Sequence, residues 1–326
     1  MKIKLLLLLA LNLSVNNLTK KSIYENVKVG EEILIPSTKE IISGSLLLPE
    51  AENSNSPSPV FIIISGSGDF SYRSHFKEGA DYTLFKDIST TFLEHGSGVF
   101  LLEKRGINRS SGNWQKAGFL EYALDVRKVM DYLLQRPEID PSRISLLGHS
   151  QGGYIAQMVA SLFPDDVFSV INLAGPAQPV FDQVMSDMEK RYDCNENSAL
   201  GKTYRKAVLY SGLSLMKFSS WMIKPTFLSH VISHDPSGYI SNIACPMLSI
   251  YAENDYRVDY YKNMLLMDQY IERDPMKHTA YFLPDTNHYF FNSEMCFDWD
   301  KADKTANPSL LWLIGDWLVH ISKSKI

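Results

Sequence analysis

The sequence predicts an α/β fold: a mostly parallel sheet with helices on both faces. Three observations carry that reading. Val60-Phe61-Ile62-Ile63-Ile64 is a continuous apolar run, the pattern of a strand buried on both faces. From there to residue 322, strand-like runs alternate with segments of helical spacing, which calls for right-handed crossovers and parallel strands. Gly148-His149-Ser150-Gln151-Gly152 lies directly between the apolar run Ile144-Ser145-Leu146-Leu147 and the helix-like Tyr154-Ile155-Ala156-Gln157-Met158-Val159-Ala160. With 326 residues, 45% of them hydrophobic, the chain can bury a full core. The order of elements favours one domain over two.

The elements follow in order. Lys2 and Lys4 precede Leu5 to Leu13, an apolar stretch interrupted only by Asn12. That is the charged and apolar pattern of a secretory signal, too short to span a bilayer. A signal peptide over residues 1–18 and a secreted or periplasmic location are therefore expected. An uncleaved N-terminal anchor and a buried leader helix are the rivals, and the cleavage point between Ser14 and Leu18 stays open. Glu32-Ile33-Leu34-Ile35 and Ile41 to Leu48, separated by Pro36-Ser37-Thr38-Lys39, read as a leading β-hairpin. Glu50 to Pro59 is a polar, proline-spaced surface loop. After the Val60 strand come a helix over Thr83 to Glu94, a strand over Gly98 to Leu102, and a helix over Leu120 to Gln135. The serine turn follows, then a helix to Phe163 and strands near Val167 to Leu173, Met247 to Tyr251 and Ala280 to Leu283. A last helix covers Ser309 to Ser322.

Residues 179–239 break this rhythm. They carry helical patterning, with Met185, Met188, Met216, Met222 and many aromatics, yet fall between two core strands. An insertion of that length reads as a helical lid that gates substrate size; plain extra helices packed on the core are the alternative. The net charge of −5 and the lack of a basic stripe exclude nucleic acid as an expected partner. Cys194, Cys245 and Cys296 fit no metal spacing. Three reduced, partly buried thiols are expected, with a Cys194–Cys296 bridge as the alternative. No cysteine follows the leader, so acyl anchoring on an N-terminal cysteine is not expected; no stable membrane anchor is expected either, and the oligomeric state is open.

The Gly148 to Gly152 segment reads as a nucleophile elbow. A serine hydroxyl becomes a useful nucleophile when a sharp strand-to-helix turn holds it beside a base, and glycines two residues to either side let that turn pack against backbone. G-x-S-x-G alone is a weak signal; its place between strand and helix strengthens it, as do an acid and a histidine further on. The chain order Ser150, Asp255, His288 is the order this kind of sheet requires, each just past a strand end. Glu253, Asp259 and Asp285 compete with Asp255 for the acid. Glu253 starts too close to the strand end, and Asp259 reads as a helix cap. Val258 is suited to plug the core beneath the acid loop. His149 reads as a packing residue. His230 and His234 are four apart but lack the glutamate of a zinc helix, and the Ser65 to Gly68 run lacks the lysine and spacing of a phosphate loop. No metal or cofactor is expected.

The layout resembles the α/β-hydrolase superfamily, and in particular bacterial secreted serine esterases with an S33-peptidase-like core. Four segments carry the resemblance: the elbow Gly148 to Gly153; Ile64-Ser65-Gly66-Ser67-Gly68 at the first-strand loop; Lys104-Arg105-Gly106-Ile107-Asn108-Arg109-Ser110 at the R-G-x-G-x-S loop; and Tyr251 to Val258 with Asn287-His288 at the acid and histidine loops. Ala252 and Asn108 depart from glycines of the pattern, and asparagine tolerates left-handed backbone angles. The resemblance implies an α/β-hydrolase fold with the N-terminal hairpin and the inserted helical lid. It also implies a Ser150, His288 and Asp255 triad, with oxyanion donors from the N–H groups of Gln151 and Ser67, Gly68 being the near rival of Ser67. Arg105 is expected to pin its loop rather than touch substrate. The expected function is hydrolysis of small-molecule carboxylic esters through an acyl-enzyme. A peptidase or amidase on the same core is the alternative within enzymes. A binding protein with its triad shut under the lid is the alternative outside them.

Overall fold

A computed structural model describes residues 26–37, 40–50, 56–194, 199–224, 226–271 and 277–323. The expected signal peptide lies outside them. The chain runs β1 (Glu31–Pro36), β2 (Ile41–Leu47), β3 (Ser58–Ile64), α1 (Leu84–Glu94), β4 (Gly98–Glu103), α2 (Phe119–Leu133), β5 (Ile139–His149), α3 (Gln151–Leu162) and β6 (Val170–Leu173). It continues through α4 (Val180–Cys194), α5 (Ala199–Ser219), α6 (Phe227–Val231), α7 (Ser237–Ser241), β7 (Met247–Ala252), α8 (Tyr260–Tyr270), β8 (His278–Leu283) and α9 (Pro308–Lys323).

The eight strands form one sheet in the order β1-β2-β4-β3-β5-β6-β7-β8. The leading hairpin is antiparallel, with Glu31 opposite Leu46 and Pro36 opposite Ile41, and β2 lies antiparallel to β4. Every pair from β4 to β8 is parallel. The apolar run of β3 explains its central place, because successive side chains point to opposite faces. Ile62 and Ile64 enter one core layer with Val126 and Met130 of α2 and Ile155 and Val159 of α3. Phe61 and Ile63 enter the other with Phe85, Ile88 and Phe92 of α1 and Leu310 and Ile314 of α9. The sheet is thus covered on both faces, as the sequence predicts.

The insertion between β6 and β7 is helical, but it covers something other than expected. Its first helix, α4, lies against the loop after β7. Gln183 donates to the carbonyl of Arg257, and Lys190 donates to the carbonyl of Asp255 while pairing with Asp259 at 3.2 Å. The same helix ends at Cys194, which forms a disulfide with Cys296, leaving Cys245 as a buried free thiol. The expectation of three reduced thiols is thereby corrected. Only the tertiary path of α4 along the acid loop brings residues 102 apart in sequence to a Cα separation of 5.3 Å.

That crosslink ties the insertion to the segment following His288. Closing a loop of this size restricts the unfolded chain, so replacing both cysteines, Cys194→Ser with Cys296→Ser, should lower the unfolding free energy by about 2–4 kcal/mol. Urea denaturation reads the loss, and reduction of the parent protein should reproduce it.

Candidate active site

Ser150 stands between the end of β5 and the start of α3, with φ 57° and ψ −121°. A residue with a side chain avoids that region, at a cost of about 1–3 kcal/mol, so the surroundings must hold it there. They do so through backbone. The Ser150 N–H donates to Leu173 O at 2.8 Å on β6, and its carbonyl accepts from Gly153 N at 2.9 Å. The flanking glycines are required by close approach: a Cβ on Gly148 would lie 2.3 Å from Gly152 O, and one on Gly152 would lie 2.1 Å from Ile64 O. The sequence pattern therefore encodes a contact between β3, β5 and α3 that lifts the serine out of the sheet.

The histidine and the acid meet it from the neighbouring strand ends. Ser150 Oγ donates to His288 Nε2 at 2.9 Å, and His288 Nδ1 donates to Asp255 Oδ2 at 2.7 Å. Asp255 is buried, and its other oxygen accepts the N–H groups of Arg257 at 2.7 Å and Val258 at 2.8 Å. Those turn bonds aim one carboxylate oxygen at the imidazole and fully occupy the other with amides. The acid and histidine loops are joined to each other: Asn254 N donates to Thr286 O, and the Asn254 side chain donates to Ser293 O, both at 2.8 Å. Val258 is buried in the core, as expected. Two of the competing acids are engaged elsewhere. Asp259 caps α8 by accepting Lys262 N, and Glu253 accepts the Asp285 N–H.

On the facing side, Gly66 packs so closely that a Cβ there would lie 3.2 Å from Ser150 Cβ. The loop it belongs to is held by Lys104, a residue whose part the sequence reading missed. The buried Lys104 ammonium donates to the carbonyls of Gly66 at 2.5 Å and Gly68 at 2.7 Å. In a trans peptide the C=O and the following N–H point in opposite directions, so drawing Gly66 O towards Lys104 turns the Ser67 N–H away from it. Ser67 lines the cavity beside Ser150, while Gly68, at φ +94°, is not among its lining residues. Gln151, the other expected donor, opens α3, where the first N–H groups have no acceptor within the helix. Burial lowers the Lys104 pKa to about 8, against the opposing pull of Glu103 and Asp69. The sequence signal was present: a lysine directly after a buried strand and before the R-G turn.

The cavity is about 440 Å³, with Ser150, His288, Ser67 and Gly66 on its lining. Aromatic side chains from two segments form much of its wall, Phe70, Tyr82 and Phe85 at and before the start of α1 and Tyr289 and Trp299 after the histidine, with the polar Ser74, Lys77, Asp81 and Arg257 among them. Tyr82, Tyr289 and Trp299 contact one another, with ring centroids 4.9–6.0 Å apart. Among the described residues, none of the 179–239 insertion lines it, and the helices of the segment that are described pack beside the acid loop instead. The insertion supports the acid loop through Gln183 and Lys190.

The remaining sequence candidates fall where packing uses them. His149 donates through Nε2 to His288 O at 3.0 Å, and burial, with the nearby His288, lowers its pKa to about 3, so it is neutral. Arg105 makes a two-pronged bond to Asp125 of α2, at 2.5 and 2.8 Å, and so pins its loop. Asn108 takes φ 45° and donates to Ser71 Oγ and Glu103 Oε1, which accounts for asparagine at a glycine position. The His234 ring packs among Phe119, Tyr154 and Tyr239. Among the described residues no cluster of metal-ligating side chains is present.

The sequence model of the prolyl oligopeptidase family matches residues 85–302, two thirds of the chain. Carboxylesterase 5A of Mus musculus is 22% identical over 329 residues, covering 94% of this chain and 55% of that protein. A putative hydrolase of Bacillus subtilis, YtaP, is 29% identical over 101 residues, covering 28% of this chain and 34% of that protein. The chain thus spans about half the length, or less, of these curated relatives. Among solved structures, Est1E from Butyrivibrio proteoclasticus matches with a TM-score of 0.59 at 14% identity, over 90% of this chain and all of that one. The 2,6-dihydroxy-pseudo-oxynicotine hydrolase matches with a TM-score of 0.58 at 16% identity, over 91% and 70%. The structural likenesses bear out the α/β-hydrolase fold, and with the family match over the serine, acid and histidine loops, the chain belongs to the prolyl oligopeptidase family.

Proposed function

We propose that this protein cleaves carboxylic esters through an acyl-enzyme on Ser150. The observation that carries the proposal is the unbroken hydrogen-bonded series Ser150, His288, Asp255 at the edge of a cavity rich in aromatic side chains. His288 Nε2 takes the hydroxyl proton as Oγ attacks the ester carbonyl carbon, and Asp255 holds the tautomer and stabilises the imidazolium. The N–H groups of Gln151 and Ser67 receive the oxyanion. Collapse of the tetrahedral species breaks the bond to the alcohol, which leaves with the proton from His288. Water then repeats the sequence on the acyl-enzyme and frees the acid.

The names of a carboxylesterase and of esterase structural neighbours support an ester substrate. The family's own description favours a peptide bond as the second reading. A panel of p-nitrophenyl esters beside aminoacyl anilides separates them, and esters should exceed anilides by at least about a hundredfold. Export is proposed from the Lys2 to Leu13 leader, and the Cys194–Cys296 disulfide supports it, since such bonds persist in oxidising compartments.

Ser150→Ala should fold normally, because glycines and backbone bonds shape the turn, and should lose ester turnover by about 10⁴-fold or more. Asp255→Asn should lower kcat by about 10³–10⁴ by favouring the wrong imidazole tautomer. The same change at Asp259, or Glu253→Gln, should cost far less.

Lys104→Met should lower kcat by about 10²-fold with KM changed little, because it loosens the peptide that presents the Ser67 N–H rather than the cavity walls. Below about pH 8 Lys104 is an ammonium and holds both carbonyls; above it the charge is lost and the hold weakens. In the parent enzyme kcat should therefore fall as pH rises through about 8. That alkaline limb should be absent from the residual activity of Lys104→Met.

A further inference from the structure

We propose that α5 and the turn after it form a docking surface for an anionic lipid bilayer. Leu200, Tyr204, Val208, Leu215 and Phe218 fall within an arc of about 80° around the helix at 100° per residue, and so make one stripe along its length of about 30 Å. All five are exposed, from 43% at Val208 to 83% at Leu200. Leu213 alone on α5 is a large apolar side chain buried in the core. The stripe runs on into Trp221, Met222 and Ile223, which are 72%, 62% and 60% exposed. Soluble surfaces rarely expose so many large apolar groups contiguously, so a patch of this kind marks an interaction site.

Charge identifies the partner. The stretch 199–224 contains five cations, Lys202, Arg205, Lys206, Lys217 and Lys224, and no acid, within a chain of net charge −5. Lys202 and Lys206 pair with Asp193 and Glu189 of α4, which fixes the inner face of α5 to the body of the protein. Lys217 and Lys224 are exposed and bracket Phe218, Trp221, Met222 and Ile223 in the sequence, although Lys217 in the unbound protein lies over the Phe181 ring of α4, 5.4 Å from its centroid, and Arg205 lies over Tyr192. An apolar tip between two lysines matches a lipid interface: the apolar groups enter the acyl boundary, the lysine stems follow them, and the ammonium groups reach the phosphates. Tryptophan prefers that depth. A second copy of the chain is a poorer occupant, because a two-fold contact through this tip would bring the lysines of one copy against those of the other. Attachment is peripheral and reversible: no helix among the described residues is long and apolar enough to cross a membrane.

Sedimentation of the full-length protein with vesicles tests the proposal. Binding should be strong to phosphatidylcholine vesicles containing 30% phosphatidylserine, and weak to phosphatidylcholine alone. A variant carrying Phe218→Ser, Trp221→Ser and Ile223→Ser should lose binding by at least tenfold. A variant carrying Lys217→Glu and Lys224→Glu should lose the preference for phosphatidylserine, each removed cation being worth about fivefold near such a surface. Turnover of a soluble ester by both variants reports that they are folded, and unfolding midpoints serve that purpose equally if the protein proves to act on another bond. No binding by the parent protein would overturn the proposal, as would binding indifferent to the triple variant. So would a lipid-free dimer that the triple variant dissociates, which would assign the stripe to a second copy.

Discussion

The backbone of Ser150, held at a positive φ, is the constraint on which the site depends. Its N–H is tied to β6, its carbonyl to Gly153, and the two flanking glycines let α3 come within contact of β3 and β5. A larger residue at Gly148 or Gly152 would place a Cβ inside backbone atoms, so the turn could not form. Once formed, it places a hydroxyl above the carboxyl ends of the strands, where the loops after β3, β7 and β8 converge. The binding crevice of an open parallel sheet lies at those ends, and the three side chains reach one another because each follows a strand of the same parallel run, β5, β7 or β8, at the same end of the sheet.

A second layer of bonds holds the partners rigid. The Asp255 carboxylate is oriented by the amides of its own turn, and the insertion grips the same turn from behind through Gln183 and Lys190. The disulfide from Cys194 to Cys296 carries that support across to the segment bearing Trp299, which is part of the cavity wall. Opposite, Lys104 holds two carbonyls of the loop after β3. A buried ammonium needs acceptors to offset its lost hydration, and the loop carbonyls supply them. The fold thus uses a charge that is costly to bury to fix the direction of a peptide facing the nucleophile.

The sheet and the serine, acid and histidine loops were legible in the sequence because each rests on a local pattern. Continuous apolar runs mark strands buried on both faces, and glycines at fixed offsets mark the elbow. Asn108 at φ 45° and Asp259 as a helix cap follow from side-chain chemistry within a few residues, and both were read correctly. What escaped depends on contacts distant in sequence. Whether Cys194 meets Cys296, and what the insertion covers, is set by how α4 crosses the acid loop, which no periodicity records. The aromatic wall escaped for the same reason: Phe70, Tyr82, Tyr289 and Trp299 come from two segments that meet only in the folded chain.

The proposed chemistry requires that the Ser150 hydroxyl becomes covalently acylated and that His288 and Asp255 make this possible. The most direct measurement is intact and peptide mass analysis of protein quenched within milliseconds of mixing with p-nitrophenyl acetate. A transient gain of one acetyl group is expected, confined to the peptide containing Ser150, forming with a stoichiometric burst of p-nitrophenol and decaying at the steady-state rate. Turnover without any adduct, or an adduct on Ser67 or another residue with Ser150 unmodified, would contradict it.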